Sequence, residues 1–252
     1  MSKETDNYNI YKSKPEDCLN YWRNPSERNN PKKYTSHSKR SQFLVDFFKE
    51  NNIPLNASIM ELGCNVGRNL NFLYNNGYKN LNGIDINPNA IKLMKQTYPN
   101  LKAKTRVGEL EKVLIRDKKG YDVIFTMAVL HHIHQNNIWI FEHIARLADK
   151  LVVIEYKGDK KRNYKNIFEN YGFTTLKQVT DENKVGIKGY SCILLEKLDH
   201  HEAKTEESEQ QYEKGKDDIT FEELKNNTMK SNYEDGVFSD TNLDDSEQKC
   251  DD

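Results

Sequence analysis

Two glycines and two acids stand at a spacing that could serve a bound nucleotide-like molecule. The run ELGCNVG begins at Glu61, contains Gly63 and ends at Gly67, and Asp85 closes the next apolar run, 22 residues beyond Gly63. Glycine at a strand-to-helix turn lets the backbone take a left-handed conformation and lets a ligand approach closely. Asn65, between the two glycines, tolerates that conformation better than most other residues. The pattern therefore predicts a nucleotide-like ligand at this turn.

The turn lacks the patterns with which many proteins hold phosphate groups. Nicotinamide-binding turns read G-x-G-x-x-G and the turns of many kinases and ATPases read G-x-x-x-x-G-K-[ST], and neither pattern is present here. Instead, Glu61 precedes the first glycine and Asp85 ends the following strand. The sequence thus disfavours both of these classes of nucleotide-binding protein.

Three histidines form a second group that could do chemistry. The letters HHIH place His131, His132 and His134 just after the apolar run at 121–127. They could supply a general base, ligate a metal ion or cap the following helix. A metal site is disfavoured because no acidic or sulfur ligands stand nearby at a recognisable spacing. A base and a helix cap both remain open, with His131 and His132 as the candidate bases.

These residues need a scaffold of alternating strands and helices. Apolar strand-like runs alternate with helical patterns at 58–62, 81–85, 102–107, 121–127 and 150–156. That alternation predicts an α/β fold with a doubly wound, mostly parallel sheet. Two more strand-like runs, at 173–179 and 189–197, are joined only by a polar loop, which predicts an antiparallel C-terminal hairpin and seven strands in all.

Five helices are predicted around that sheet from periodicity and capping residues, and one of them follows the glycine turn, where Leu70, Leu73 and Tyr74 line a face that ends at Gly77. One covers 38–52, before the first strand, and one begins at Pro88 with Asn87 as its cap. Others are expected between 135 and 149 and over 162–172, where apolar residues repeat at helical spacing.

Charge divides the chain into unequal parts. Residues 199–252 hold 6 lysines against 18 acids, a net charge of −12, whereas the rest of the chain carries +11. Such an acidic segment with few large apolar residues predicts a mostly disordered tail, which either keeps the protein in solution or competes for the basic part. We therefore expect an N-terminal segment at 1–37, one α/β domain at 38–198 and the acidic tail.

Cysteine usage and hydropathy predict a cytoplasmic protein. The four cysteines are far apart and form no C-x-x-C pair, which favours free thiols in a reducing compartment. No stretch of about 18 apolar residues occurs, and the first residues carry no apolar signal core. No membrane partner is expected.

Taken together, the motifs resemble those of class I S-adenosylmethionine-dependent methyltransferases. The first motif of that family reads roughly E/D-x-G-x-G-x-G, and here ELGCNVG is followed by GIDIN, VGELE, FTMAVLHHI and a terminal strand hairpin. The resemblance covers about residues 38–198, and Asn65 replaces the usual middle glycine. It implies a Rossmann-like fold with S-adenosyl-L-methionine as the cofactor and no metal.

The resemblance also implies roles for single residues. Asp85 would accept the ribose hydroxyls, Ile86 would give the adenine an apolar face, and Glu109 would approach the adenine amino group beside Leu110. The other positions expected around the cofactor are Glu61, Gly63, Cys64, Asn65, Gly67 and Ala128. The alternative for Cys64 is that it is a small residue that only packs inside the turn.

The N-terminal segment would act as a lid over this site. By the resemblance, Tyr21 and Trp22 would cover the cofactor and Arg40 would pair with its carboxylate. The alternative is a surface strap whose aromatic residues pack on the core.

The expected reaction is an in-line methyl transfer to an oxygen or nitrogen atom of a small molecule. His131 or His132 would remove the acceptor's proton where one must leave. Basic runs at 29–40 and 157–165 suit an anionic acceptor, and RNA is the alternative substrate. A cofactor-binding scaffold without catalysis is the alternative from another class.

Overall fold

A computed structural model describes residues 12–158 and 162–198. The acidic tail and residues 1–11 lie outside these ranges, so the expectation for the tail is not addressed by the structure. The strands of the described part form one sheet, β1 Ile59–Leu62, β2 Leu81–Asp85, β3 Ala103–Val107, β4 Tyr121–Met127, β5 Ala148–Tyr156, β6 Phe173–Val179 and β7 Tyr190–Lys197. The helices of the same ranges are α1 Pro15–Arg23, α2 Ser38–Glu50, α3 Arg68–Asn75, α4 Pro88–Thr97, α5 Leu110–Arg116, α6 Ile140–Leu147, α7 Tyr164–Glu169 and α8 Glu182–Val185.

The sheet has the strand order β3-β2-β1-β4-β5-β7-β6. Strands β3, β2, β1, β4 and β5 are parallel, whereas β7 is antiparallel to both of its neighbours, β5 and β6. The predicted seven-stranded α/β sheet with an antiparallel C-terminal hairpin is therefore confirmed. The last strand in the chain, β7, lies between β5 and β6, so β6 forms the edge.

Strand β5 illustrates how the sheet is buried on both faces. Leu151 and Val153 pack in one apolar cluster, while Val152 and Ile154 pack in the other. Neighbouring side chains of a strand point to opposite faces, and helices cover both faces of a parallel sheet. The run of apolar residues in this strand is the sequence signature of that double burial.

The chain changes direction across the sheet at β1. This strand pairs with β2 on one side and with β4 on the other, so the connections after β1 and after β4 run to opposite sides. A crevice forms beyond the carboxyl ends of strands at such a point. The glycine turn follows β1, the histidines follow β4, and Asp85 is the last residue of β2. All three therefore lie at this crevice.

Helix α4 shows how local sequence fixes one border of this crevice. The Oδ1 atom of Asn87 accepts hydrogen bonds from the backbone nitrogens of Asn89 and Ala90, at 2.9 and 3.2 Å, and Pro88 occupies the first turn. The cap satisfies amide groups that have no partner inside the helix. The predicted start of this helix is confirmed.

Three connections differ from the sequence-based expectation. Helix α5 was not predicted, and the loop between β6 and β7 contains the short α8, capped by Asp181 and ended by Gly186 at a φ of +75°. The helix expected between 135 and 149 is shorter, because a 3-10 turn at Gln135–Asn137 precedes α6 and Ala148 already belongs to β5. Short capped helices leave little periodicity in a sequence, which explains the first two differences.

No helix within 12–158 and 162–198 is both long and apolar enough to cross a membrane.

Candidate functional site

A cavity of about 460 Å³ opens beyond the carboxyl ends of β1, β2 and β4. Its size falls within the range of about 300–1,000 Å³ that is typical of small-molecule sites. The glycine turn forms its floor, α1 lies along one side, and residues from the turn after β4 and from β7 complete the wall. Both candidate groups from the sequence therefore meet in one cavity.

The glycine turn has the backbone conformation that its sequence predicts. Gly63, Asn65 and Gly67 have φ values of +68°, +46° and +68°, all in the left-handed region that side chains disfavour. A Cβ atom at Gly63 would lie 2.5 Å from Cγ2 of Val129. Gly63 therefore permits the close approach of the turn after β4.

Gly67 has a packing role at the start of α3. It does not line the cavity, and an added Cβ atom would lie 2.6 Å from Cγ of Met94. Gly67 is also the N-cap of α3. Its lack of a side chain therefore lets α3 begin against α4, and its contact with the cofactor stays a prediction.

Asp85 lies buried at the end of β2 with both carboxylate oxygens directed at backbone amides. Oδ2 accepts a hydrogen bond from the nitrogen of Asn65 at 2.7 Å, and Oδ1 accepts one from the nitrogen of Asn87 at 2.8 Å. Burial raises the pKa of this carboxyl group to about 6, against the effect of the two amides. A carboxylate offers about four acceptor positions, so two of them remain for a ligand.

Glu61 is a buried acid on the floor of the cavity with one unsatisfied oxygen. Its Oε1 accepts a hydrogen bond from Nδ2 of Asn69 at 2.7 Å, while its Oε2 is buried and has no hydrogen-bond partner among the residues that the structure describes. Burial raises the pKa of Glu61 to about 8. A buried polar atom without a partner costs free energy, which makes this oxygen a candidate ligand contact.

Arg68 was missed by the sequence analysis, although it lines the cavity and holds the turn to the N-terminal segment. Its Nε donates to Oγ of Ser41 at 2.8 Å, and another guanidinium nitrogen donates to the carbonyl oxygen of Tyr34 at 2.8 Å. The side chain also bonds to Oδ1 of Asn69 at 3.1 Å. Arg68 thus connects α2, α3 and the 3-10 turn Pro31–Ser36 beside the cavity.

His131 lies on the cavity wall with a carboxylate behind it. Its Nδ1 is 2.7 Å from Oε2 of Glu155, and its Nε2 is 3.3 Å from the hydroxyl of Tyr190. Both His131 and Tyr190 line the cavity, whereas Glu155 is buried behind them with 2% of its surface exposed. His131 could be predicted from the sequence, whereas its hydrogen-bond partners Glu155 and Tyr190 were not predicted.

The other two histidines of the HHIH run have different surroundings. His132 also lines the cavity, and its ring contacts the tilted rings of Trp22 and His131, with centroids 4.5 and 3.8 Å away. Burial lowers the pKa of His132 well below its ordinary value, and the neighbouring charges of His131 and Arg162 act in the same direction. His132 is therefore a poor proton acceptor, although both candidate bases are in the cavity.

His134 has the capping role that the sequence left open. Its Nδ1 accepts a hydrogen bond from the nitrogen of Asn136 at 3.1 Å, which caps the 3-10 turn, and its Nε2 lies 2.7 Å from the carbonyl oxygen of Ser13. Because Nδ1 accepts, Nε2 carries the proton and donates to Ser13. This histidine joins the N-terminal segment to the turn after β4.

The N-terminal segment closes one side of the cavity. Trp22 of α1 and Arg40 of α2 both line it, whereas Tyr21 is not part of the lining and stacks edge-on against Trp22. Nε of Arg40 donates to the carbonyl oxygen of Gly186 at 3.3 Å, and no carboxylate of the described residues pairs with its guanidinium group. Arg40 thus brings a cation without an acidic partner to the cavity.

Glu109 lies beside the cavity, next to Leu110 at the start of α5. Its carboxylate pairs with Arg23 of α1 and with Lys112, and it is absent from the cavity lining. Glu111, two residues later, does line the cavity and accepts a hydrogen bond from Asn137 at 3.1 Å. The two ion pairs hold the Glu109 carboxylate toward Arg23 of α1 and Lys112, and its role near the adenine stays a prediction.

The remaining predicted positions border the cavity. This group consists of Cys64, Ile86, Leu110 and Ala128. Ala128 has a φ of +62°, a strained value for a residue with a side chain, directly after β4. The backbone is therefore bent at the carboxyl ends of both central strands.

Comparison with known proteins supports the interpretation of the fold. A family model described as a methyltransferase domain matches residues 59–150. A candidate methyltransferase of Invertebrate iridescent virus 6, named 235L, is 32% identical over 158 residues, which cover 54% of this chain and 57% of that protein. The chain thus spans little more than half the length of this relative.

Solved structures share the fold at low sequence identity. The magnesium protoporphyrin IX methyltransferase of Synechocystis PCC 6803, solved with bound SAM, matches with a TM-score of 0.56 and 15% identity over 76% of this chain and 100% of that one. A candidate RNA methyltransferase of Pyrococcus horikoshii matches with a TM-score of 0.52 and 11% identity over 63% and 83% of the two chains.

The strand order, the glycine turn that ends β1 and the family match agree with one another. Residues 59–150 match a methyltransferase domain, and the chain shares the Rossmann-like fold of solved methyltransferase structures.

Proposed function

We propose that this protein binds S-adenosyl-L-methionine in the cavity and transfers its methyl group to an oxygen or nitrogen atom of a small molecule. The observation that carries the proposal is the pair of incompletely satisfied acids, Asp85 and Glu61, that line one cavity at a strained glycine turn. Buried acids of this kind need a ligand that donates hydrogen bonds.

Asp85 suits the ribose of such a ligand. Each of its oxygens already accepts one backbone amide, and each keeps one acceptor position for a ribose hydroxyl. Two hydroxyl groups that donate to a charged acceptor form stronger hydrogen bonds than neutral pairs do. Ile86, the next residue, lines the cavity and offers the adenine an apolar face.

The methionine part fits the groups at the other end of the turn. The unsatisfied Oε2 of Glu61 suits an ammonium group, which can donate three hydrogen bonds. Arg40 suits the carboxylate, since its guanidinium group lines the cavity without an acidic partner among the described residues. A zwitterionic amino acid head is therefore complementary to the two side chains.

When bound, S-adenosylmethionine supplies an activated methyl group: the acceptor's lone pair forms the new bond to carbon as the carbon–sulfur bond breaks and its electron pair stays on sulfur. The protein's share of this work is positioning and exclusion of water. Where the acceptor carries a proton, Nε2 of His131 is the proton acceptor that we propose, because His132 resists protonation.

A small acceptor is favoured over RNA by the closed side of the cavity. The N-terminal segment and the HHIH turn are joined by the contact of His134 with Ser13 and by the contact of the Trp22 ring with the His132 ring. RNA remains the second candidate because exposed Lys32, Lys33 and Lys39 form a basic surface near this segment.

Binding and transfer can be tested separately with the full chain. Calorimetry should detect binding of S-adenosylmethionine, and incubation with the methyl-labelled compound and a metabolite extract should give a labelled small product. Label that disappears after nuclease treatment would instead identify RNA as the acceptor. Binding without label transfer to either class of extract would support a scaffold and contradict the proposed enzyme, and absence of binding would contradict the proposed cofactor.

A further inference from the structure

Glu155 is a buried carboxylate near the end of β5 that the functions discussed so far do not use. Its Oε1 accepts three hydrogen bonds at 2.9 Å, from Oγ1 of Thr126 and from the backbone nitrogens of Val129 and Leu130. Its Oε2 contacts His131 twice, at 2.7 Å through Nδ1 and at 3.4 Å through the backbone nitrogen. The strand that precedes the turn and the turn itself are therefore both bound to one side chain.

This arrangement fixes the position of Glu155 before any ligand arrives. Both oxygens are occupied, and the amide nitrogens around them can only donate. A carboxylate that accepts several backbone hydrogen bonds is held in one geometry, and its charge is stabilised by those donors. The side chain therefore presents an acceptor, in a fixed direction, to the ring of His131.

An acceptor at Nδ1 determines which nitrogen of His131 carries the proton. A neutral imidazole has one N–H donor and one acceptor nitrogen, so a carboxylate at 2.7 Å from Nδ1 selects the tautomer with the proton on Nδ1. The lone pair is then on Nε2. That nitrogen is the one near the hydroxyl of Tyr190, another residue of the cavity wall.

We propose that Glu155 is a positioning residue that holds His131 as the Nδ1–H tautomer and aims the basic Nε2 into the cavity. The transfer part of this inference rests on the proposed function. As the methyl–acceptor bond forms, the proton displaced from the acceptor goes to Nε2 of His131. The resulting imidazolium keeps its Nδ1–H directed at Glu155, so the new positive charge lies beside an existing negative charge.

Tyr190 completes the arrangement as a hydrogen-bond donor. Burial raises the pKa of its hydroxyl to about 12, with a further contribution from the charge of Glu155. The hydroxyl therefore keeps its proton at neutral pH and can donate it to Nε2, which at 3.3 Å is a long contact. An acceptor molecule that brings its own proton to Nε2 replaces that contact.

A purely structural role for Glu155 makes a different prediction. If it only stabilised the turn through Val129 and Leu130, replacement would lower stability and leave the tautomer of His131 unchanged. The Glu155→Gln variant separates the two roles, because a glutamine amide can donate to Nδ1 and thereby favour the proton on Nε2. Glu155→Asp retains the charge, and Glu142→Gln, at an exposed position on α6, is a matched control.

The test is nitrogen NMR of the full chain labelled with ¹⁵N in histidine, without any ligand, with His131→Asn to assign the signals. We expect His131 with its proton on Nδ1 in the wild type and in Glu142→Gln, and a shift of the proton toward Nε2 in Glu155→Gln. A wild-type His131 with its proton on Nε2 would overturn the inference, even if Glu155→Gln failed to fold. An unchanged tautomer in folded Glu155→Gln would overturn it as well.

A second readout connects the tautomer to transfer. At saturating S-adenosylmethionine, Glu155→Gln should transfer label about 100- to 10,000-fold more slowly than the wild type, the range for loss of a base or of its correct tautomer. Its affinity for S-adenosylmethionine should stay unchanged, and Glu155→Asp should recover part of the rate. If the wild type binds S-adenosylmethionine but transfers no label, the proposed enzymatic function is contradicted, while the tautomer of His131 measured by NMR is unaffected. Normal transfer by Glu155→Gln would contradict the positioning role alone.

Discussion

The two halves of the cavity differ in how completely donors surround their buried acids. In the glycine half, which comprises residues 61–67 and Asp85, one oxygen of Glu61 has no partner among the described residues and each oxygen of Asp85 accepts a single amide. Burial raises the pKa values of these acids to about 8 and about 6, respectively. In the histidine half, which comprises 128–134 with Glu155 and Tyr190, both oxygens of Glu155 are occupied by donors. The glycine half therefore keeps acceptor positions open for a ligand, whereas donors already surround the acid of the histidine half.

This difference indicates a division of labour. Unsatisfied polar groups cost stability, and a ligand that satisfies them recovers that free energy on binding. A satisfied network instead holds its members in one geometry. We infer that the glycine half supplies cofactor affinity and that the histidine half supplies orientation for transfer.

The largest effect is expected from a change in the histidine half. His131→Ala should slow label transfer by about 100- to 10,000-fold, because it removes the proton acceptor, while the affinity for S-adenosylmethionine measured by calorimetry should change little. His143→Ala, on α6 and outside the cavity lining, is the matched control. If His131→Ala lost cofactor affinity and transfer rate by the same factor, the inference that the two halves have separate roles would be contradicted.

Two glycine substitutions should separate cavity contact from packing. Gly63→Ala and Gly67→Ala both place a side chain at a φ of +68° and both create close contacts, with Val129 and Met94 respectively. Each should lower the free energy of unfolding by about 1–3 kcal/mol. Since Gly63 lines the cavity and Gly67 does not, only Gly63→Ala should also weaken S-adenosylmethionine binding. Denaturant titrations and calorimetry at a temperature where both variants are folded provide the measurements.

The pH dependence of stability should reveal the unsatisfied acid. Burial raises the pKa of Glu61 to about 8, so the folded state binds this proton more tightly than the unfolded state does. The resulting contribution to stability is fully present when the pH is below the ordinary pKa of a glutamate carboxyl group, and it is lost as the pH rises through about 8. Glu61→Gln should therefore show a smaller fall in unfolding temperature between pH 6 and pH 9 than the wild type, with Glu142→Gln behaving like the wild type. Identical pH profiles for all three proteins would contradict the assignment.

The smallest effect is expected at Glu109. Its carboxylate pairs with Arg23 and Lys112 outside the cavity, and partly exposed ion pairs contribute about 0–1 kcal/mol. Glu109→Gln should therefore change S-adenosylmethionine affinity by less than about fivefold in calorimetry, the most that such a pair accounts for. A loss as large as that of an Asp85 variant would restore the role near the adenine that the sequence implied.

The glycine half could be predicted from sequence because its determinants are local. Positive φ at Gly63 and Asn65 and the placement of Asp85 at the end of β2 follow from residues that are close in the chain. The five parallel strands and the terminal hairpin were predictable for the same reason, since each buried strand is a short apolar run. Gly67 shows the limit, because its close contact with Met94 depends on how α3 packs against α4.

The histidine half could be predicted only in part. His131 and His132 are visible as a motif, but Glu155 lies 24 residues away and looks like an ordinary acid at the end of a strand. Tyr190 reaches the same ring from β7 because this strand inserts beside β5. Contacts set by sheet order carry no local signal, and the same applies to the ion pair that turns Glu109 away from the cavity.

The central claim is that the acid at the end of β2 binds the ribose of S-adenosylmethionine, and calorimetry of Asp85→Ala tests it most directly. Asp122→Ala is the control, because Asp122 lies at the amino-terminal end of β4, away from the cavity. Its Oδ2 accepts hydrogen bonds from the backbone nitrogen of Ser58 at 2.6 Å and from the Ser58 hydroxyl at 2.8 Å. Loss of two hydrogen bonds to a charged acceptor, at about 1.5–3 kcal/mol each, predicts at least a ~100-fold weaker affinity for Asp85→Ala and none of this loss for Asp122→Ala. A folded Asp85→Ala protein with wild-type affinity would contradict the account.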